Sequence, residues 1–395
     1  MQQQTPFYQY DLGLLRATLA ACVSASQEYS VFPHDAIKAN NQPEILREIS
    51  GAGLGADCVS INEVKMALRQ GFNARDIVFS GSGKRVDELR EAITLDIGCL
   101  NIESIPELHI ASRLAADLGI RTPISLRITP ETEIDTHAYL TTGRTFNKFG
   151  ILEEELRQAL AFLSNDAFLH LHGLHVHAGS QILDLSVFAD LAQAMNRFNG
   201  ICRAAGFSPR MLNLGGGLGV DYHHPDAAPF ADFIGWFSAI RSTLRPFPGQ
   251  TVHVEPGRSL VAQCGSLITS VLYIKPRGER TFAICDAGMT ELIRPALYGS
   301  YHQVEPYLRN ASSGNTCQYD IVGPICESSD TFATGLQLPE LQHGDMLCIR
   351  SAGAYGQCMS SGYNMRESAW AVFVNMGEKL PWPAFQVQEE VFNGR

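Results

Sequence analysis

The amino-acid sequence predicts an α/β fold in which a (β/α)8 TIM-like barrel carries a second, mainly antiparallel β-domain. Three observations lead there. Eight short β-prone runs alternate with amphipathic segments between residues 34 and 254, the rhythm of parallel strands joined by crossover helices. After about Val261 helical periodicity stops, and short strand-like runs follow one another between Gly, Pro and Asn turns. At 395 residues the chain also exceeds what one ordinary hydrophobic core serves.

The predicted barrel strands are His34–Lys38, Ala56–Ser60, Ile77–Ser80, Cys99–Ile102, Ile124–Ile128, Leu169–Val176, Met211–Leu214 and Thr251–Val254. Between them Leu, Ala and Ile recur at three- and four-residue spacing over Gln42–Ile49, Ser60–Leu68, Val86–Thr94, Glu107–Leu118, Glu153–Leu163, Leu183–Ala204 and Phe230–Thr243, the mark of helices with one apolar face. A shorter βα series would suit an open doubly wound sheet; the count of eight favours closure. In the second domain the expected strands are Ser266–Pro276, Thr281–Asp286, Tyr319–Val322, Met346–Arg350 and Trp370–Asn375, and Phe7–Tyr10 is a candidate first strand. The barrel is therefore expected over 25–260, and a discontinuous β-domain over 1–24 and 261–395.

A formal charge of -11 argues against a nucleic-acid partner, because a backbone-binding surface needs clustered Lys and Arg. Small anions remain open, since local basic groups can bind them. Met1–Leu14 lacks a basic region followed by an apolar run, and no segment is apolar over a membrane span, so no membrane association is expected and the cytoplasm is the default. Ten cysteines are scattered from Cys22 to Cys358 without close metal-ligand pairs, as expected of reduced thiols serving as small core residues; no metal site is expected.

Chemistry should gather at the carboxyl ends of the strands. Lys38, in Ala36-Ile37-Lys38-Ala39-Asn40, ends the first strand and is either a Schiff-base lysine or an ordinary solvent-facing one. Glu255-Pro256-Gly257-Arg258 follows the eighth strand: Glu255 suits a protonated pyridine nitrogen, Arg258 an anion and Gly257 a close backbone approach, unless the segment is simply a turn with an ion pair. Gly215-Gly216-Gly217-Leu218-Gly219 follows the seventh strand, where barrels commonly bind phosphate, and Ser180 could add a hydroxyl. His177 can stack on a flat ring, whereas His175, one layer deeper at the same parity, reads as a satisfied core histidine. Arg127 faces a buried anion or ends its strand in solvent, and Asp57 and Glu63 read as structural acceptors. From the second domain Arg294, Tyr298, Cys326, Glu327 and Tyr355 offer groups that could hold a carboxylate or an amine, although spacing alone does not assemble them with Lys38.

Taken together, the motifs resemble the alanine-racemase-like, group IV class of pyridoxal phosphate (PLP) decarboxylases, and within it the diaminopimelate decarboxylases. The resemblance runs from about Thr5 to Asn375. Besides the segments above it rests on Gly55-Ala56-Asp57, Thr142-Gly143 through Asn147-Lys148-Phe149-Gly150, the His175–Gln181 run, Asp286-Ala287-Gly288-Met289, Arg294–Tyr298, Gly323–Asp330 and Gly353-Ala354-Tyr355-Gly356. It implies that Lys38 is the Schiff-base lysine, His177 the ring-stacking residue and Glu255 the partner of the pyridine nitrogen. Ser180, Gly216, Gly217, Gly257, Arg258 and Tyr355 would be the other cofactor contacts. Arg258, Arg294 and Tyr298, with Tyr355, would hold the carboxylate kept on the product. Cys326, close to the reacting carbon, and Glu327, meeting a substrate amine, would come across a head-to-tail homodimer.

The charges within that resemblance favour meso-diaminopimelate over ornithine or arginine. Two arginines and a phenol call for a distal carboxylate, Glu327 for a distal ammonium, and an unpaired arginine in a dry pocket would be costly. The implied products are L-lysine and carbon dioxide. A related decarboxylase or racemase acting on another amino acid is the enzyme alternative. The PLP-binding barrels that manage cofactor supply lack a second domain. One departure stands out: Asp35 occupies a position where the family usually carries Tyr or another non-acidic residue. Its strand parity, opposite to that of Lys38, points it towards the helices, where it would need a partner or solvent.

Overall fold

The structure is a computed structural model and describes residues 5–130, 148–307 and 316–375. It divides into two compact units: Leu15–Gln263 with Gly353–Cys358, and Met1–Leu14 with Cys264–Ala352 and Met359–Arg395. Among the described residues no helix is long and apolar enough to cross a membrane.

In the first unit eight parallel strands close a ring. They are β1 (Val31–Ala36), β2 (Gly55–Cys58), β3 (Ile77–Phe79), β4 (Cys99–Ile102), β5 (Thr122–Thr129), β6 (Leu169–His175), β7 (Met211–Asn213) and β8 (Thr251–Val254). Each pairs with the next, and β8 returns to β1 with Val252 opposite Val31 and Val254 opposite Pro33. A short strand, Ile151–Leu152, adds to β5 outside the ring. β2 and β4 are buried at every residue, as expected of strands covered on both faces.

The helices begin where local sequence says they should. The Ser60 side chain accepts from the Glu63 amide at 3.2 Å while Glu63 takes the Val59 amide at 2.6 Å, opening Ile61–Arg69. Ser104 and Glu107 repeat the exchange before Ile105–Leu118, with distances of 3.2 and 2.9 Å. Each pair satisfies one amide of the first helical turn and one just before the helix. One further helix, Leu12–Tyr29, escaped the sequence reading because its buried face is built from Leu15, Thr18, Leu19, Cys22, Ala25 and Ser26, small and partly polar residues of weak contrast.

The first predicted strand needs correction. β1 starts three residues earlier and stops at Ala36, and Lys38 sits in a 3-10 turn, Ile37–Ala39. The carbonyls of this turn bond away from the sheet: Ala39 O accepts from the Tyr355 amide at 2.8 Å, and Cys358 Sγ lies 3.3 Å from both Lys38 O and Ala39 O. Tyr355 accordingly belongs to the barrel unit and not, as the sequence suggested, to the β-domain.

In the β-domain Gly265–Arg277 is the central strand, pairing antiparallel with Arg280–Cys285, Met346–Ile349 and Phe7–Asp11. Phe7–Asp11 also runs parallel to Trp370–Val374, and Arg280–Cys285 parallel to Thr316–Val322, so the sheet is mixed rather than uniformly antiparallel. Thr331–Pro339 pairs with Thr316–Val322 and was missed in the sequence, where polar residues and Gly335 break its alternation. Phe7, Ile268, Tyr307 and Cys348 form a core cluster against which Trp370 packs.

Near the ends of β3, β4 and β5 lies a buried charge network. Lys84, with 1% of its side chain exposed, donates to Gly81 O, Asn101 O and Glu107 Oε1 at 2.7, 2.8 and 2.6 Å. Glu103 takes Arg127 Nη1 at 2.9 Å, so Arg127 has the buried anion that one sequence reading assigned it. Replacing Lys84 by Met would strand Glu107, and the expected loss of stability is about 3–5 kcal/mol. Urea unfolding measures it; a loss under about 1 kcal/mol would mean that Glu107 finds another proton or partner.

Candidate active site

Lys38 Nζ donates to Asp57 Oδ2 at 2.7 Å. Asp57 is completely buried at the end of β2, whereas 35% of the Lys38 side chain stays accessible. The second carboxylate oxygen is held by Ser80 Oγ at 2.6 Å, and Ser80 in turn by Asn101 Nδ2 at 2.9 Å, so three neighbouring strands orient one acceptor for the lysine. Burial alone would lower the pKa of the ammonium, but the charges of Asp57, Tyr355 and Glu255 outweigh it and raise the pKa above that of an ordinary lysine. The sequence read Asp57 only as a structural acceptor; its partner is Lys38.

Glu255, after β8, is 4% exposed and is aimed by two neighbours. Asn213 Nδ2 donates to Oε1 at 2.7 Å, and His175 Nε2 lies 3.2 Å from Oε2. Burial would raise the pKa of this carboxyl, but His175, then Lys38 and His177, pull it below the ordinary carboxylate range. His175 is buried, as expected of a core histidine, and its Nε2 faces the Glu255 carboxylate. Asn213 was missed because it lies inside a predicted apolar strand, where a polar residue carries no signal of its own.

His177 accepts from the Gly216 amide at Nδ1, 3.1 Å away, which leaves the proton of the neutral ring on Nε2. Burial first, then Arg127, pushes its pKa down to about 3, so the ring stays neutral. The Gly215–Gly219 run exposes fewer amides than its composition suggests: Gly215 bonds Asn213 Oδ1, Gly216 bonds His177, and Gly219 bonds Ile182 O. Glycine is required at 216 because a Cβ would meet Glu255 O at 2.0 Å, and at 217 because φ is 118°. His175, His177 and Glu255 bring ligand atoms within 4.8 Å of one another, yet Gly216 and Asn213 already hold two of those side chains in hydrogen bonds.

Arg258 joins the same mouth. Its Nη1 donates to Tyr222 Oη at 2.6 Å and its Nη2 to Ser180 Oγ at 2.9 Å, while the guanidinium lies 4.9 Å from the Tyr355 ring centroid. Buried Nε has no hydrogen-bond partner among the described residues. Gly257 lets this turn pass β1, since a Cβ there would approach Ala36 Cβ at 2.9 Å. Tyr222 had no sequence signal, lying in the irregular Asp221-Tyr222-His223-His224 stretch.

Lys38, His175, His177, Ser180, Gly216, Gly217, Glu255, Gly257, Arg258 and Tyr355 all lie in the barrel unit; Arg294, Tyr298, Cys326 and Glu327 lie in the other. There Arg294 is 4% exposed and donates to His302 Nε2 at 2.8 Å and Ser300 Oγ at 3.4 Å, while Tyr298 is 63% exposed at the end of Arg294–Tyr298. Cys326 and Glu327 are exposed on a turn organised by Asp330, which accepts from the Ile325 amide at 2.7 Å and the Met289 amide at 2.6 Å. Thr142 to Asn147, quoted in one motif, lies outside the described residues.

Residues 15–262 match the family described as "Pyridoxal-dependent decarboxylase, pyridoxal binding domain". A diaminopimelate decarboxylase from Bacteroides thetaiotaomicron is 44% identical over 369 residues, covering 92% of this chain and 94% of the relative. The chain belongs to the diaminopimelate decarboxylase family. A crystal structure of a diaminopimelate decarboxylase from Helicobacter pylori complexed with L-lysine superimposes with a TM-score of 0.87 at 37% identity, covering 94% of this chain and 92% of that one. A lysine/ornithine decarboxylase from Vibrio vulnificus, at 20% identity and a TM-score of 0.80, shares the fold.

The family's cofactor fits the residues present. An accessible amine answers an aldehyde, an ionised buried carboxylate answers a protonated pyridine nitrogen, and an arginine with an unpartnered buried Nε answers an anion.

Asp35 is 1% exposed, and its Oδ2 lacks a hydrogen-bond partner among the described residues. Burial, then the charges of Asp57 and Glu63, raise its pKa well above the carboxylate range, with Lys38 opposing. An unfolded aspartate ionises near pH 4. Its contribution to stability is therefore full below about pH 4 and is lost as pH rises towards the folded pKa. Asp35→Asn removes that loss and should gain about 1.4 kcal/mol per pH unit over wild type in this window. Denaturant midpoints across the range test this; parallel pH slopes in the two proteins would show that Asp35 does not keep its proton.

Proposed function

We propose that this protein decarboxylates meso-2,6-diaminopimelate to L-lysine with PLP, in lysine biosynthesis. The observation that carries the reading is the meeting of Lys38 on Asp57 and Glu255 on His175 at one barrel mouth, in a chain 44% identical to a diaminopimelate decarboxylase. Lys38 would hold the cofactor covalently, with Asp57 orienting Nζ and accepting charge from it. Glu255 would take the ring nitrogen on its Oε2 side, kept ionised by its neighbours, and neutral His177 would lend a flat face. Ser180, Gly216, Gly217, Gly257, Arg258 and Tyr355 would complete the cofactor contacts. Bound PLP supplies an electron sink for the pair released when carbon dioxide leaves.

On the substrate side Arg258, Arg294, Tyr298 and Tyr355 would meet the carboxylate that stays, and Glu327 the distal ammonium. Cys326 Sγ or Lys38 Nζ would return a proton to the reacting carbon. We further propose a homodimer in which Cys326 and Glu327 serve the barrel of the second copy. None of the ten cysteines is in a disulfide among the described residues, which suits a reducing compartment and supports a cytoplasmic location.

Lys38→Ala should lose the visible absorption of bound PLP and nearly all carbon dioxide release; a variant keeping both would remove Lys38 from its role. Across an amino-acid panel, meso-diaminopimelate should release carbon dioxide fastest. A protein that binds PLP and releases none from any amino acid would instead be a cofactor carrier. Mixing Lys38→Ala with Cys326→Ala subunits should recover about a quarter of wild-type activity through hybrid dimers with one intact site. No recovery after demonstrated subunit exchange would exclude shared sites.

A further inference from the structure

Two consecutive non-glycine residues of the β-domain, Asn364 and Met365, adopt left-handed backbone, each with φ of 56°. L-residues resist this conformation, and strained backbone of this kind persists where surrounding contacts over-determine it. Apolar burial does not compensate, since Met365 is 97% exposed. The neighbouring side chains show what the conformation serves. Asn364 Oδ1 accepts from the Cys326 amide at 3.3 Å, and Tyr363 Oη donates to Glu327 Oε1 at 2.9 Å. The segment is pinned at both ends, by the Ser361 amide on Thr290 O at 3.0 Å and by Arg366 Nη2 on Asp286 O at 2.6 Å. From inside, Asp330 holds the same turn through the Ile325 amide. The Cys326–Glu327 turn is thus gripped from two sides, and only Tyr363 among the described residues hydrogen-bonds the Glu327 carboxylate.

We propose that Tyr363 is a positioning residue that sets substrate specificity: its phenol fixes Glu327 Oε1, leaving Oε2 presented to the distal ammonium of a diamino acid. Asn364 sets the height of the turn that carries both Cys326 and Glu327. The inference rests on the reading of Glu327 as the ammonium acceptor. A carboxylate free to rotate would still attract a cation, but without preference for an ammonium at one distance from the reacting carbon. The hydrogen bond with Glu327 also raises the pKa of the Tyr363 phenol, so the group remains a donor at neutral pH.

The test compares steady-state kinetics of PLP-loaded wild type, Tyr363→Phe, Glu327→Gln and the double variant on meso-diaminopimelate. Tyr363→Phe should raise KM about tenfold, the worth of a hydrogen bond to a charged group, with kcat within about twofold and the PLP absorption spectrum unchanged. The double variant should be no worse than Glu327→Gln alone, because the phenol acts only through that carboxylate. If Glu327→Gln leaves KM unchanged, the reading of Glu327 falls and this inference with it. If Glu327→Gln raises KM while Tyr363→Phe does not, or if the two effects add fully, the role of Tyr363 alone is overturned.

Discussion

Closure of the parallel sheet through β8 and β1 is the constraint on which the site depends. Only because Val254 pairs with Pro33 does the Glu255 turn lie beside the Lys38 turn, far apart as they are in the chain. The seam is tight. The Ala36 amide bonds Pro256 O at 2.9 Å, the Glu255 amide bonds Gly215 O at 2.8 Å, and Gly216 and Gly257 occupy places where a Cβ would collide with the neighbouring turn. An open sheet with the same eight strands would leave the amine and the acid at opposite edges.

Inside that ring, charge is tolerated because the buried carboxylates each have at least two polar or charged partners. Asp57 has Lys38 and Ser80, Glu255 has His175 and Asn213, and Glu103 has Arg127 and the Gly81 amide at 2.7 Å. Removing a carboxylate from water is costly unless its lone pairs are answered. Satisfied in this way, the groups are also fixed in direction, which is what a site needs in order to receive a ring nitrogen or an aldehyde without reorganising. Asp35 is the exception, a buried carboxyl whose Oδ2 finds no donor and whose nearest charges are mostly of its own sign. Neutralisation is the response open to such a group.

Much of this was legible along the chain. Strand-helix alternation needs only local pattern, so eight strands could be placed within a few residues. The Gly215–Gly219 and Glu255–Arg258 turns stood out because glycine and a charge directly after an apolar run have few structural uses. Supporting residues were less visible. Asn213 lies inside and Ser80 at the end of a predicted strand, where a single polar residue carries little signal, and their partners are forty-two and twenty-three residues away. Tyr355 was placed with the β-domain because it follows that domain in sequence; the chain returns to the barrel for only Gly353–Cys358.

Residue order alone determined the fold class and the family and picked out the candidate reactive groups, since these depend on periodicity and on which side chains end which strands. The tertiary structure decided what those groups are paired with. Lys38 left its expected strand for a turn where Ala39 O bonds Tyr355, and His175, buried as expected, faces Glu255 because β6 and β8 both lie beside β7. Hydrogen-bond partners distant along the chain leave no period and no local composition behind them, so only the folded chain shows them.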